Sequence, residues 1–189
     1  NVARIIKDIA AQGESVIAVL SAVGGVTDQL LDAAKTAEKD GPLAMQKLED
    51  IRNRHFEVYP EELADPDAER ALQDSVEELK DILRAVSMVR ECSDRTLDHI
   101  LSFGERLNCQ LMTRLLKNSG SLTSYVDARD LIITEKRREN ARVLRDKTIA
   151  NIRNYFTDNQ IYVVTGFISS TEDGITTTLG RGGSDYTAA

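Results

Sequence analysis

Tryptophan is absent from this 189-residue chain and aromatic residues supply only 5% of it. Leu, Ile, Val and Ala must therefore fill whatever core it builds. Cysteine is scarce as well: Cys92 and Cys109 lie far apart, with no CxxC or Cys/His ligand spacing. That argues against a disulfide scaffold or a zinc module and predicts two reduced thiols in a helical core. His55 and His99 are isolated, so no metal ligand is assigned to the protein. No signal-peptide pattern is present, and no apolar run approaches the length of about 18 residues that a membrane helix requires. Nothing points to secretion or to a membrane partner, and a cytoplasmic location is expected. Positive charge is in deficit too, with 24 Lys and Arg against 31 Asp and Glu and a net charge of −7. A general nucleic-acid binder needs a basic face, so no nucleic-acid partner is expected. A small anionic ligand is still compatible, because a local basic pocket can sit within an acidic protein.

What is present is an ordinary globular composition, 41% hydrophobic and 29% charged, long enough for one sizeable domain. Val2, Ile5, Ile6 and Ile9 recur at helical spacing and predict an amphipathic helix that Gly13 ends. Val16 to Leu20 is a continuous apolar run of strand length, as expected of a parallel strand covered on both faces. A small-residue loop, Ser21 to Gly25, then leads into a helix beginning near Val26 to Asp28. Leu43 to Val89 reads as mostly helical, with a turn at Pro60 to Pro66 and a stripe of Leu72, Val76, Leu79, Leu83 and Val86. The pattern is a helical hairpin near residues 41–90 inserted into an α/β fold, its acidic residues forming a solvated face.

Thr96 to Leu116 is again helical, with a bend expected at Gly104, and Gly120 closes it. Leu122 to Val126 is a short strand running into Asp127. Asn140 to Phe156 is a helix with Leu144, Thr148, Ile152 and Tyr155 on one side. Ile161 to Thr165 is the third strand. Alternating strands and helices predict a mainly parallel sheet with helices on both faces. Ligands bind such sheets beyond the carboxyl ends of the strands, where the Ser21 loop, Asp127 and the Gly166 region fall.

Three segments there have the residue types of a binding site. In Thr176 to Ala189 (TTTLGRGGSDYTAA), glycines permit close backbone approach to a ligand. Ser184 and Asp185 fit a helix start, where N–H groups favour anions. Arg181 stands among glycines, where its guanidinium can grip a carboxylate. The plain alternative is a glycine-rich turn with Ser184 or Asp185 as helix cap. Ser21 to Asp28 (SAVGGVTD) offers two hydroxyls and several N–H groups at a strand-to-helix junction, or is an ordinary turn capped by Thr27 or Asp28. Ser102 to Leu107 (SFGERL) places Glu105 just after a glycine; it could accept an ammonium group in a cleft, or lie on the surface.

In combination, GRGGSDYTAA, SAVGGVTDQLL and SFGERL resemble the signature segments of aspartate kinases, within the amino-acid kinase superfamily. Tyr125 to Asp130 (YVDARD) and Val164 to Ile168 (VTGFI) match further family segments in the same order, so the resemblance covers the whole chain. It implies a three-layer α/β/α sandwich. It also implies an enzyme that moves the γ-phosphate of ATP, with Mg²⁺ held mainly by the phosphates, onto the side-chain carboxylate of L-aspartate, within a homo-oligomeric parent. By resemblance, Arg181 binds the α-carboxylate and Glu105 the α-ammonium. Ser21, Thr27 and Ser184 line the same pocket, Asp185 and Arg181 are the catalytic residues, Asp185 helping to orient the catalytic lysine and the reacting groups, and Gly182 and Gly183 bind the nucleotide. Aspartate carries two carboxylates and one ammonium at neutral pH, so a fixed cation and an anion are the complementary types. Its nucleophile is already ionised, which removes the need for a general base and leaves alignment and charge neutralisation as the main catalytic tasks.

The chain departs from the family pattern at both ends. Asn1 enters a helix without an initiator Met, and Tyr186 to Ala189 opens a helix that stops, so both ends read as truncations. The family's leading Lys-Phe-Gly-Gly strand, the rest of its nucleotide-binding part and its ACT domains fall outside this sequence, and the expectation is that the 189-residue polypeptide alone has little kinase activity. Two other readings remain open. One is a superfamily member acting on glutamate, N-acetylglutamate, carbamate or a nucleotide; the other is a non-catalytic amino-acid-binding module.

Overall fold

A computed structural model describes residues 2–13, 15–135, 141–158 and 160–189. The chain divides into two compact units: residues 1–21 with 109–189, and residues 22–108.

The first unit holds all the strands. Helix α1 (Val2–Ala10) buries Ile6 and precedes strand β1 (Val16–Leu20). Strand β2 (Thr123–Val126) and strand β4 (Ile161–Thr165) complete a parallel sheet of order β1-β4-β2. Val16 pairs with Ile161 and Leu20 with Thr165, while Thr123 also pairs with Ile161. The central strand, IYVVT, is buried at all five residues, as two-sided coverage demands. The same expectation fails for β1, because among the described residues it pairs only with β4 and leaves Ile17 49% exposed.

A second sheet was not anticipated. It has the order β3-β5-β6, with β3 at Ile133–Thr134, β5 at Ile168–Thr171 and β6 at Thr176–Thr178. β3 runs parallel to β5, whereas β5 and β6 form an antiparallel hairpin closed at Gly174 (φ 75°). Its strands are short and rich in Ser and Thr, and their hydroxyls bond one another: Thr134 Oγ1 lies 2.9 Å and Ser169 Oγ 2.8 Å from Thr177 Oγ1. Sequence reasoning looks for apolar alternation, and a buried strand with mutually satisfied hydroxyls lacks it.

Helix α6 (Arg145–Tyr155) buries Thr148, whose hydroxyl accepts the Ile133 N–H at 3.1 Å; Tyr155 is 42% exposed. The helix was expected from Asn140, but it starts at Arg145 with Leu144 as its cap, and residues 141–144 are not helical; Asn140 itself lies outside the described residues, as does the expected helix entry at Asn1. The core of this unit gathers Val126, Leu131, Ile132, Tyr162, Val164 and Ile168. Phe156 meets Tyr162 edge to face at 4.9 Å, an arrangement that aromatic rings favour.

The unit of residues 22–108 is helical. Helix α2 (Val26–Ala37) starts at Gly25, whose φ of 86° and lack of a side chain make it the cap in place of Thr27 or Asp28. Helix α3 (Gly41–Val58) and helix α4 (Pro66–Val89) form the hairpin. Each is started by an Asp-Pro pair: Asp40 accepts the Leu43 N–H and Asp65 the Asp67 N–H, with proline in the first turn where no donor is lost. All five stripe residues of α4 are buried; each full Leu burial contributes roughly 2 kcal/mol. His55 on α3 is fully buried, its Nδ1 donating to Ile51 O at 2.8 Å, and burial holds its pKa below the usual histidine value. Cys92 lies in the connection after α4 rather than in a helix, half-buried, whereas Cys109 is buried on a helix; neither is in a disulfide.

Helix α5 (Asp94–Asn118) runs without interruption through Gly104 and belongs to both units in turn. Gly104 serves close packing: a methyl there would lie 2.8 Å from Ala22 Cβ and 3.4 Å from Leu30 Cδ1. From Cys109 onward the helix packs on the parallel sheet, where the Cys109 thiol points at Val164 O at 3.5 Å.

Candidate functional site

In the first unit three chain segments converge at the carboxyl ends of β1 and β4. The Gly166 N–H donates to Leu20 O at 2.8 Å and extends the sheet by one rung. Phe167 then adopts φ 63°, a left-handed conformation that a bulky residue enters only under constraint. Its carbonyl accepts the Leu179 N–H at 2.8 Å, which aims the loop after β6 back toward the sheet. Helix α7 (Gly183–Ala188) begins there, with Gly182 (φ 73°) as its cap. Neither Ser184 nor Asp185 caps it, so the capped-turn alternative fails on geometry.

Two glycines make this approach possible. A methyl on Gly166 would lie 2.5 Å from Ser184 Oγ and 3.0 Å from its backbone Cα. One on Gly183 would lie 2.9 Å from Leu179 Cβ and 3.1 Å from Phe167 Cα. Side chains at either position would push α7 away from the sheet. The result is a hydroxyl pair, with Ser21 Oγ donating to Ser184 Oγ at 2.7 Å although 163 residues separate them. Arg181, Gly182 and Asp185 are exposed around this pair, and a methyl on Gly182 would meet nothing within 4 Å, so its backbone is open to a ligand.

In the second unit Glu105 is 2% exposed. Its Oε1 accepts the Ala22 N–H at 3.2 Å, while its Oε2 has no hydrogen-bond partner among the described residues. Burial raises its pKa to about 7, against the lowering effect of the Ala22 bond. A buried carboxylate oxygen left unmatched is destabilising unless a cation or donor completes it. The neighbouring Arg106 does not: its guanidinium stacks on the Phe103 ring at 4.4 Å and donates to Glu78 at 3.1 Å. Thr27 is half-buried in the first turn of α2.

Of the candidate residues, Ser21 and Ser184 touch, with Arg181, Gly182, Gly183 and Asp185 on the same loop and helix. Glu105 accepts the Ala22 N–H within its own unit. Glu105 and Thr27 belong to the unit of residues 22–108, and the others to the first unit. Among the described residues no group of three or more His, Cys, Asp or Glu is placed to hold a metal, and no helix is long and apolar enough to cross a membrane.

Sequence reasoning placed the Gly166 region at the ligand-binding end of the sheet but gave Gly166 and Phe167 no shaping role, since a close approach between segments so distant in sequence leaves no local pattern. It named Asp127 and Arg129 without a role, although an acid and a base two residues apart at a strand end was a readable sign of a local ion pair.

Comparison with known proteins places the chain in a class: residues 1–189 match the Amino acid kinase family over their whole length, and the chain belongs to that family. More narrowly, its relatives are aspartokinases. It is 32% identical over 184 residues to Aspartokinase 1, chloroplastic, of Arabidopsis thaliana, covering 93% of this chain and 32% of that protein. Against the Arabidopsis Bifunctional aspartokinase/homoserine dehydrogenase 1, chloroplastic, identity is 30% over 197 residues, covering 97% of this chain and 21% of the relative. The structure of E. coli aspartokinase III in complex with aspartate and ADP matches with a TM-score of 0.82 and 27% identity, covering 98% of this chain and 42% of that one. The same enzyme in complex with lysine and aspartate matches at 0.84 and 26%, covering 91% and 38%. The α/β fold class with a parallel sheet is thus that of aspartokinase structures. The chain spans between about a fifth and two fifths of the lengths of these relatives.

Proposed function

We propose that this chain is the aspartate-binding part of an aspartate kinase, which transfers the γ-phosphate of ATP to the side-chain carboxylate of L-aspartate and yields 4-phospho-L-aspartate. The observation that carries the reading is Glu105: a carboxylate 2% exposed, with one oxygen on the Ala22 N–H and the other unmatched. An ammonium group is the complement such an oxygen lacks, and aspartate supplies one. Arg181 takes the α-carboxylate through its guanidinium fork. Ser21, Thr27 and Ser184 supply hydroxyls to the same ligand.

The reacting carboxylate is already ionised, so these residues work by position: they hold one anion in line with another and neutralise charge. Asp185, on α7, orients the reacting groups. The open backbone at Gly182 suits the approach of a phosphate, Gly183 beside it keeps the loop packed on Leu179 and Phe167, and Mg²⁺ would be carried mainly by the nucleotide. The parent protein is a homo-oligomer feeding lysine, threonine and methionine synthesis. The aspartokinase names of the relatives, and the aspartate and ADP bound to the E. coli enzyme, support the reading.

Calorimetric titration of L-aspartate into the wild type, Arg181→Ala and Glu105→Gln tests it. Each substitution is expected to weaken binding by a factor of about 100 or more, the consequence of leaving a charged partner unmatched. Unchanged affinity in both variants, or a preference for a nucleoside monophosphate over aspartate, would overturn the assignment.

A further inference from the structure

Arg129 joins the two sheets of the first unit. It follows β2, and its Nε and Nη2 donate to the two oxygens of Asp127 at 2.9 and 2.7 Å in a bidentate pair. Its remaining nitrogen, Nη1, donates to Thr176 Oγ1 at 3.1 Å, on the first residue of β6. Its carbonyl accepts the Ser170 hydroxyl of β5 at 2.6 Å. One half-buried residue therefore grips the carboxyl end of the parallel sheet and both strands of the β5–β6 hairpin. Beside it, the Ala128 N–H donates to Thr165 Oγ1 of β4 at 2.8 Å, which ties the same turn to the central strand.

We infer that Arg129 is a positioning residue for the loop that carries Arg181 and Ser184, setting through Thr176 the place from which that loop leaves the sheet. Only two residues of β6 separate Thr176 from the loop. A guanidinium fixed by a fork on one side and a hydroxyl on the other tolerates little sliding. A one-residue slip of β6 would reverse every side chain on it and carry the loop away from Gly166. The inference rests on the reading of Arg181 and Ser184 as aspartate ligands.

The test uses the full chain with Thr176→Val, Arg129→Met and Arg129→Lys. Thr176→Val is nearly isosteric, keeps strand propensity and removes the acceptor. Two quantities are read: L-aspartate affinity by calorimetry, and amide hydrogen exchange in residues 179–186 relative to β1 and β4. Thr176→Val and Arg129→Met are expected to weaken aspartate binding by a factor of about 10, the scale of a small misplacement of binding groups. Exchange should quicken in 179–186 while β1 and β4 stay unchanged, and Arg129→Lys should restore part of the affinity. Unchanged affinity, or exchange that quickens equally in β1 and β4, overturns the inference by reducing Arg129 to general support. Should Arg129→Met fail to fold, Thr176→Val decides. Arg181→Ala is run alongside. If it abolishes binding while the Thr176 and Arg129 variants do nothing, only the positioning role fails. If Arg181→Ala itself is silent, the aspartate reading fails and the inference with it.

Discussion

Glu105 is held in a site that favours its protonated form, and its buried Oε2 has no partner among the described residues. Its pKa in the folded chain is about 7, from a usual value of 4.5. Between those two values the folded state binds more protons than the unfolded state, so stability declines as pH rises through that window and is level above it. Glu105→Gln cannot ionise and should not show this decline. Relative to the wild type, the variant should gain up to about 3 kcal/mol in denaturant unfolding between pH 5 and pH 8, the linkage value of the shift; a constant difference across that range would count against a raised pKa. An ammonium ligand needs the ionised form, so aspartate affinity should climb from pH 6 to pH 8. The residue type and its place after a glycine were visible in the sequence. Its burial was not, because burial is decided by the helices packed around it.

At the scale of elements, the helical hairpin was legible because its signals are local: a proline-marked turn at Pro60 to Pro66 and apolar residues at helical spacing on α4, Leu72, Val76, Leu79, Leu83 and Val86. The second sheet was illegible because three short strands of Ser and Thr satisfy one another across the fold. The placing of α7 belongs with it. Gly166→Ala would set a methyl 2.7 Å from Ser184 Cβ and 3.0 Å from its Cα, so the helix must shift. The expected outcome is a stability loss of about 1–3 kcal/mol, typical of overpacking, together with a larger proportional loss of aspartate affinity. Thermal unfolding and titration on the same variant measure the two; full affinity would mean that the Ser21–Ser184 hydroxyl pair is not used in binding.

For the molecule as a whole, charge is the property composition sets directly. With a net charge of −7, the purified chain should pass through a DNA-cellulose column at about 0.1 M salt, where exposed charges act over roughly 10 Å. Retention would contradict the reading of this protein as a binder of small anions only. The elements with a period of their own were already determined by the order of residues: the parallel-strand segments, the helical hairpin, the glycine punctuation and the motif residues Arg181, Glu105, Ser21 and Ser184. Their spacing and chemistry are properties of consecutive positions. Tertiary structure alone decided that Ile17 of β1 stays exposed, that hydroxyl-bearing segments form a second sheet, that Phe167 takes a strained conformation, that Arg129 bridges two sheets and that Glu105 is buried half-satisfied. Each of these depends on which distant segments meet, and desolvation, packing and strain arise only where they do.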